Sequence, residues 1–253
     1  FRPIWWLILN GPILTFRPSK SGKAYKKIWD EQNHGSPLRK FTINQTNKLK
    51  DSFKDNKNLI IDYAMRYGNP SIEKVLNKIV EKGCSKLLLV PLYPQYAAST
   101  TATVKDEVFK WMLKQRWQPD IRTIAPWFDD KNYIKALADT VNSNLKNKNT
   151  LDKLIVSFHG IPQRYFKAGD PYHCHCIKTA RLLKEELKWP DDKILVTFQS
   201  RFGPEPWLQP YTDKTIIELA KSGKKRIAVI APGFISDCLE TLEELNVEAR
   251  ELF

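Results

Sequence analysis

Cysteine is scarce in this sequence, with four residues among 253. Four are too few for a disulfide scaffold, and Cys174 and Cys176 cannot easily bridge each other because only His175 separates them. The sequence therefore predicts free thiols and a reducing compartment.

Long apolar runs are also missing, since none reaches the roughly eighteen residues that a membrane-spanning helix needs. The longest candidate, residues 4–9, is followed by Asn-Gly-Pro and lacks the basic start and the cleavage site of a signal peptide. The chain begins at Phe1 rather than at Met, and we therefore expect a fragment of a longer protein. Its 253 residues are enough for a substantial core, in one large domain or two small ones.

Acidic residues are the minority among the charged ones, with 28 Asp and Glu against 41 Lys and Arg, so that the formal net charge is +13. Residues 1–57 contribute +8, from twelve basic and four acidic residues. Two explanations of this positive charge stay open: basic residues that are merely solvated at the surface, or attraction to an anionic membrane or an acidic small molecule. No recognition helix, zinc finger or RNA-binding motif accompanies the charge, and we expect no nucleic-acid partner.

One structural pattern occurs twice along the chain. In its first copy, an apolar run at 59–61 leads to Arg66-Tyr67-Gly68, a helical pattern over 71–81 and a second apolar run at 87–90. Such continuous apolar runs, alternating with amphipathic helices, are typical of parallel strands in a sheet that is covered on both faces.

The second copy of the pattern follows the same order. An apolar run at 194–196 leads to Arg201-Phe202-Gly203, a helical pattern over 212–221 and a run at 227–230. The repeat predicts an α/β protein with two lobes of related construction. Their junction is expected in the Lys/Asn-rich residues 145–150, which gives an N-terminal lobe over 1–148 and a C-terminal lobe over 149–253.

The carboxyl ends of the predicted strands are where an open α/β sheet carries its functional groups. Those positions are Arg66 and Tyr67, residues 93–101, His159, residues 199–201 and residues 236–240. The sequence contains neither GxGxxG nor a phosphate-binding Gly-Lys-Ser/Thr, so that a nucleotide site has little support.

Four segments, in this order and spacing, resemble the ferrochelatase family of the bacterial type: LYPQYAASTT, VSFHGIPQRYFKAGDPYHC, FQSRFGPEPWL and SDCLETLEEL. The resemblance runs from about residue 1 to 253. It implies insertion of ferrous iron into protoporphyrin IX to form protoheme, the terminal step of heme biosynthesis. It also implies two Rossmann-like, chelatase-type lobes, each a parallel sheet flanked by helices, with the porphyrin cleft between them. The family's first strand would precede Phe1 and its last strand and helix would follow Phe253, which indicates truncation at both ends.

His159 and Glu240 are the catalytic residues and transient iron ligands that the resemblance implies. A neutral imidazole can take a pyrrole proton or hold a metal near neutral pH, whereas an ordinary loop histidine would only bond to the backbone. Glu240 can instead support its helix, although Asp237 serves more naturally as the helix cap. A thiolate-rich site would hold iron too tightly to release it, whereas imidazole and carboxylate suit a transient site. Gly160 is expected to permit the tight turn and to leave room for a flat ligand.

Substrate-binding residues are implied by the same resemblance. The ring requires apolar walls, and its two propionates require donors such as arginine, whose fork binds both carboxylate oxygens. The predicted set is Arg17, Lys20, Tyr25, Ser36, Arg66, Tyr67, Tyr93, Ser200 and Trp207.

The HCHC sequence at 173–176 raises the question of a bound metal. Alternate residues of an irregular loop cannot easily supply four ligands to one ion. We expect no iron–sulfur cluster and no tightly bound cofactor, with Fe2+ as a substrate, and the roles of Cys174 and Cys176 stay open.

Residues 4–18 are apolar and aromatic, and they run directly into basic residues. One interpretation is a core helix; the other is a lip at the cleft mouth that dips into an anionic membrane surface. The second predicts a cytoplasmic protein that is peripheral at the inner membrane. The resemblance adds contact with the preceding enzyme of heme synthesis.

Two alternatives to protoporphyrin metallation stay open at this point. One is insertion of metal into coproporphyrin or another tetrapyrrole, and the other is porphyrin or heme binding without turnover. The oligomeric state and the iron donor also stay open.

Overall fold

A computed structural model describes residues 6, 9–30, 35–145 and 150–253 of the chain. The fold is α/β, with two separate parallel sheets among these residues. The first sheet pairs β1 (Lys86–Leu89) with β2 (Asp120–Thr123), and the second has the order β4 (Ile194–Gln199), β3 (Lys153–His159), β5 (Ile227–Ile230). All the pairings are parallel. The carboxyl ends of the strands in each sheet therefore share one edge.

Helices make up much of the remaining described chain. The α-helices are α1 (Leu14–Ile28), α2 (Pro37–Ser52), α3 (Ile72–Glu81), α4 (Thr103–Met112), α5 (Lys131–Asn144), α6 (Gln163–Lys167), α7 (Tyr172–Leu187), α8 (Thr212–Lys221) and α9 (Arg250–Leu252). Short π-helical segments, Leu9–Ile13 and Ala98–Ala102, precede α1 and α4, and a 3₁₀ turn, Asp191–Lys193, precedes β4. Residues Glu240–Ala249, between β5 and α9, are called the π-helix below. Within the described residues, no helix is long and apolar enough to cross a membrane.

Strand β3 lies in the centre of the second sheet and is buried on both faces. Leu154, Val156 and Phe158 pack in the cluster that contains Cys176, Ala180 and Leu183 of α7. Ile155, which points to the other face, packs with Ile216 of α8 and Ala249 of the π-helix. The predicted sheet with helices on both faces is confirmed here.

The two copies of the sequence pattern fold alike at their turns. Gly68 and Gly203 both have positive φ, +89° and +74°, which glycine adopts without steric cost. The N–H of Met65 donates to the carbonyl of Pro70 at 2.8 Å, and the N–H of Phe198 donates to that of Pro210 at the same distance. Helices α3 and α8 then begin at Ile72 and Thr212, close to the predicted positions.

The strand predicted at 59–61 is wrong. These residues belong to no strand, and β1 pairs only with β2 in the part of the chain that the structure describes. Leu59 and Ile60 are exposed. An apolar run becomes a strand only where a neighbouring strand accepts its hydrogen bonds, and the described residues supply no such neighbour.

Polar contacts join the loops of the first sheet to the second. The Gln95 amide donates to Thr179 Oγ1 of α7 at 3.0 Å, and the Tyr133 hydroxyl of α5 donates to the Pro232 carbonyl at 2.6 Å. Burial raises the pKa of Tyr133, which keeps this hydroxyl protonated as a donor. Both hydrogen bonds link a residue before the predicted boundary at 148/149 to a residue after it. The division into two lobes stays a prediction.

Candidate active site

Strands β3 and β4 end side by side, and their last paired residues are His159 and Gln199. The side chain of Gln199 is buried, and its Nε2 donates to the backbone carbonyl of Glu240 at 3.1 Å. The start of the π-helix is therefore tied to the same sheet edge as the histidine. The structure brings the two predicted catalytic residues to one region.

His159 is half-buried at the end of β3. Its Nδ1 lies 2.6 Å from the carbonyl oxygen of Gly160, so that Nδ1–H is the donor and Nε2 carries the lone pair in the neutral ring. The rings of Trp207 and Phe234 lie near it, each with its centroid 6.4 Å from that of the imidazole. This is an imidazole held in an aromatic setting, with the tautomer of a proton acceptor at Nε2.

Gly160 is required by close packing. A Cβ at this position would lie 3.0 Å from the Gln199 carbonyl oxygen and 3.1 Å from Cε3 of Trp207. Its N–H donates to that same carbonyl at 2.8 Å. The expectation of free space for a flat ligand is wrong at this point, because strand β4 and Trp207 already occupy it.

The carboxylate of Glu240 lies among hydroxyl and thiol groups. Burial raises the pKa of Cys238 to about 12, and the neighbouring Glu240 adds to the shift through charge and a hydrogen bond. Cys238 is therefore a neutral thiol near pH 7, not a thiolate. Asp237 accepts from the Thr241 hydroxyl at 2.9 Å rather than capping a backbone N–H, so that the cap expected of Asp237 is not formed.

Tyr93 lies within electrostatic range both of Glu240 and of strand-end residues from the first half of the chain. Burial raises the pKa of Tyr93 most, Tyr67 and Glu240 raise it further, and Arg66 lowers it. All of these groups are thus within electrostatic range of the Tyr93 hydroxyl. The Arg66 guanidinium lies 4.5 Å from the ring centroid of Tyr67 and 3.5 Å from Glu107. Tyr67 itself is 72% exposed, which leaves its outer ring face open.

Helix α1 lies against the π-helix and supplies Tyr25. Lys27 Nζ is 2.6 Å from the carboxylate of Glu243, which is buried in the π-helix. Burial raises the pKa of Tyr25 most, and the charge of Glu240 raises it further, so that the phenol is within electrostatic range of this carboxylate. Arg17 and Lys20 also belong to α1, but their side chains lie outside what the structure describes.

Ser36 stands at the N-cap position of α2, where its side chain makes no capping hydrogen bond. Further along α2, the Gln45 amide donates to the Ile235 carbonyl at 2.8 Å and accepts from the Ser236 hydroxyl at 3.2 Å. Helix α2 is therefore anchored on the turn that leads into the π-helix, and Ser36 lies at its beginning.

Glu244 is a site residue that the sequence analysis missed. It accepts hydrogen bonds from the Ser200 N–H at 2.8 Å, the Ser200 hydroxyl at 2.5 Å and the Gln199 amide at 3.2 Å. The predicted substrate residue Ser200 thus points to Glu244 in this structure. A signal was available, because Glu244 follows Glu240 by four residues in ETLEELNVE and shares its helix.

The HCHC residues lie in helix α7, and the irregular loop expected for them is wrong. His173 packs on Phe198 with 5.7 Å between ring centroids, whereas His175 accepts from the Tyr96 N–H at 3.2 Å and stacks on Phe128. Cys174 is exposed and Cys176 is buried, both as free thiols. Throughout the described ranges, no group of three or more His, Cys, Asp and Glu side chains is arranged to hold a metal.

Comparison with known proteins gives a consistent result. The family model described as Ferrochelatase matches residues 1–253. A protein named Ferrochelatase from Allorhizobium ampelinum is 56% identical over 253 residues, which cover 100% of this chain and 74% of that protein. The Ferrochelatase of Agrobacterium fabrum is 56% identical with the same coverage, and that of Rhizobium meliloti is 54% identical over 100% of this chain and 75% of its own length.

A solved structure supports the fold. SirB from Bacillus subtilis with Fe3+ aligns with a TM-score of 0.58 and 17% identity, and the alignment covers 87% of this chain and 80% of the SirB chain. At this identity the likeness concerns the fold alone, and it agrees with helices packed on parallel sheets.

Proposed function

The chain belongs to the ferrochelatase family, and we propose that the region between His159 and Glu240 is the place where it inserts iron. The reaction is the insertion of ferrous iron into protoporphyrin IX, which forms protoheme. The observation that carries the assignment to this site is the Gln199 bridge: its strand ends beside His159, and its amide binds the Glu240 backbone at 3.1 Å.

Metallation exchanges two pyrrole N–H protons for one Fe2+, so two protons must leave for each iron that enters. His159 takes a pyrrole proton at Nε2, because its Nδ1–H is already engaged by the Gly160 carbonyl. Glu240 accepts the other proton and attracts the cation. Imidazole and carboxylate together bind Fe2+ weakly enough to release it, whereas thiolate ligands would bind it too tightly. The raised pKa of Cys238 keeps the neighbouring thiol protonated.

The porphyrin is held by groups around this pair. Trp207, near His159, and Tyr93, within electrostatic range of Glu240, supply apolar walls. Arg66, Tyr67 and Tyr25 border the same region from two other segments. Arg17 and Lys20, together with Ser36 and Ser200, are assigned to the propionates on the resemblance to the family.

An anaerobic titration tests the function. The chain is mixed with protoporphyrin IX and Fe2+ without oxygen, and the absorption spectrum is followed for conversion of free porphyrin to heme. Enzymatic metallation predicts a conversion rate proportional to protein concentration. Heme binding without any Fe2+-dependent spectral change would instead identify a non-catalytic binding protein. A parallel reaction with coproporphyrin, analysed by product mass, decides between the two rings; a clear preference for coproporphyrin contradicts the assignment.

Peripheral membrane association through the N-terminal segment is part of the same proposal. Trp6 and Leu14 are 62% and 53% exposed, and the lysines of α1 follow them. An aromatic and aliphatic surface beside cations suits the interface of an anionic bilayer. This would place the cytoplasmic enzyme at the inner membrane, where a poorly soluble porphyrin is available. Contact with the preceding enzyme of heme synthesis stays a prediction from the resemblance.

A further inference from the structure

The turn after β4 has an unfavourable backbone conformation, which neighbouring contacts must stabilise. Ser200 has φ of +61°, in the left-handed region that residues with a Cβ seldom adopt. It directly follows Gln199, whose side chain reaches the Glu240 backbone. A change in this turn would therefore move the contact between β4 and the start of the π-helix.

Glu244 supplies the partners that this turn needs. One carboxylate oxygen accepts the Ser200 N–H at 2.8 Å, and the other accepts both the Ser200 hydroxyl at 2.5 Å and the Gln199 amide at 3.2 Å. A carboxylate accepts several donors at once, and such charge-assisted bonds are stronger than those between neutral groups.

A buried hydrogen-bond chain fixes the other end of Gln199. Its Oε1 accepts from the Ser157 hydroxyl at 2.8 Å, and Ser157 is 2.9 Å from the Thr212 hydroxyl at the start of α8. The amide oxygen is thus committed to the core, which leaves Nε2 to donate towards Glu240 and Glu244. The sheet core, the strand-end turn and the π-helix form one connected network.

We propose that Glu244 is a positioning residue: it holds the Gln199–Ser200 turn and, through it, the backbone of Glu240, and it does not handle iron itself. The proposal rests on the proposed function of the site. Its physical basis is that these three hydrogen bonds of Glu244 end on Gln199, the last residue of β4, and on Ser200, which follows it. Gln199 also binds the Glu240 carbonyl. Loss of these contacts would misplace Glu240 by a small distance, which is costly for a catalytic group.

Four variants test this role: Glu244→Ala, Glu244→Gln, Ser200→Gly and the double variant Ser200→Gly with Glu244→Ala. We expect Glu244→Ala to lower kcat by roughly 10–100-fold while KM for Fe2+ stays within about twofold. Glu244→Gln keeps an acceptor for Ser200 and should recover most of the loss. Because glycine adopts positive φ freely, removal of Glu244 should cost several times less in the Ser200→Gly background.

Other outcomes would overturn the proposal. If Glu244→Gln is as impaired as Glu244→Ala and KM for Fe2+ rises about tenfold or more in both, the carboxylate binds the metal directly. Additive losses in the double variant would mean that Glu244 does not act through the Ser200 turn. Glu251→Ala, which removes an exposed carboxylate from α9, is the matched control and should leave the kinetics unchanged.

A readout without turnover separates this proposal from the proposed function. Amide hydrogen exchange at Ser200 should be slow in the wild-type chain and faster in Glu244→Ala, but unaffected in Glu251→Ala. An unprotected Ser200 amide in the wild type contradicts the positioning role whatever the activity. If the wild type does not metallate but Ser200 shows this pattern, the proposed function fails and the structural role of Glu244 stands.

Discussion

The imidazole of His159 lies at the end of a strand in which residues 154–158 are buried. Its Nδ1–H donates to the Gly160 carbonyl, and two aromatic rings lie near it. The residue therefore has a fixed tautomer and restricted motion, as a general base requires.

Replacing His159 by Ala should abolish metallation and leave porphyrin binding largely intact. Ring affinity comes mainly from apolar burial and propionate contacts, whereas loss of a general base typically costs about 10²–10⁴-fold in rate. The measurements are the anaerobic insertion rate and the porphyrin dissociation constant from fluorescence quenching. His175→Ala is the matched control, because that imidazole stacks on Phe128 and should affect stability more than rate. A His159→Ala enzyme that keeps more than a tenth of the wild-type turnover would exclude His159 as the essential base.

Glu240→Gln should slow insertion without unfolding the chain. The amide preserves shape and the backbone contact to Gln199, but it removes the proton acceptor and the negative charge that attracts Fe2+. Insertion rate and thermal midpoint are measured on the same preparation. An unchanged rate together with a lower midpoint would mean that Glu240 only supports its helix.

At the scale of elements, the contact between the ends of β3 and β4 decides where His159 lies. Gly160 packs against the Gln199 carbonyl and Trp207 with no room for a methyl group. The strand pair and the indole are therefore packed tightly against the residue that follows His159.

Gly160→Ala should lower both stability and activity. Its Cβ would press on backbone at 3.0 Å and on the indole at 3.1 Å, and such overpacking typically costs about 1–3 kcal/mol of unfolding free energy. Denaturant unfolding and the insertion rate are the measurements. The matched control is Gly22→Ala in α1, where no atom lies within 4 Å of the new methyl and alanine favours the helix. Equal stability of the Gly160→Ala and wild-type chains would contradict the prediction, because it would show that the strand ends and Trp207 shift to accommodate the methyl group at little cost.

The elements differ in how far their sequence predicts them. The runs at 194–196 and 227–230 lie in β4 and β5, because their apolar residues match a sheet covered on both faces. Polar residues then extend β3 and β4: Ser157 and Thr197 are fully buried, and both lie within hydrogen-bonding distance of the Thr212 hydroxyl. Apolar patterning cannot show such buried hydroxyl contacts. Nor can it show whether the run at 59–61 has a partner strand.

The residues of the candidate site also differ in how far the sequence predicts them. His159 and Glu240 were predicted from motifs and strand ends, which depend on local sequence order. Glu244 was missed because its role depends on which strand the π-helix packs against. The position of Tyr25 near Glu240 likewise depends on the docking of α1, which the Lys27–Glu243 ion pair supports. Contacts between elements distant in sequence have no periodic signal.

At the scale of the whole molecule, the parts before and after the predicted boundary meet through specific polar contacts. Besides the Gln95 and Tyr133 hydrogen bonds, Lys178 of α7 lies 2.6 Å from Asp129. These contacts hold the Tyr93 segment against the half of the chain that contains His159. The proposed porphyrin site takes residues from both sides of the boundary, and the two-lobe division itself stays a prediction.

The last prediction concerns how the whole molecule meets a membrane. Trp6 and Leu14 are exposed close to the lysines of α1, and α1 contributes Tyr25 near Glu240. If this end of the chain is the lip, binding to vesicles should require anionic lipid and should decrease with added salt, since exposed charges are screened. Trp6→Ser combined with Leu14→Ser should weaken sedimentation with phosphatidylglycerol vesicles.

An apolar pair that is at least as exposed provides the matched control. Leu113 and Trp117 are 83% and 57% exposed between the end of α4 and the start of β2. They lie where the chain enters a strand, hence at the sheet edge opposite the strand carboxyl ends that carry the site. Serine at both of these positions should leave vesicle binding unchanged. If the serine substitutions at Leu113 and Trp117 abolish vesicle binding and those at Trp6 and Leu14 do not, the bilayer contacts the opposite edge of the sheet. Helix α1 is then not part of a membrane-binding lip.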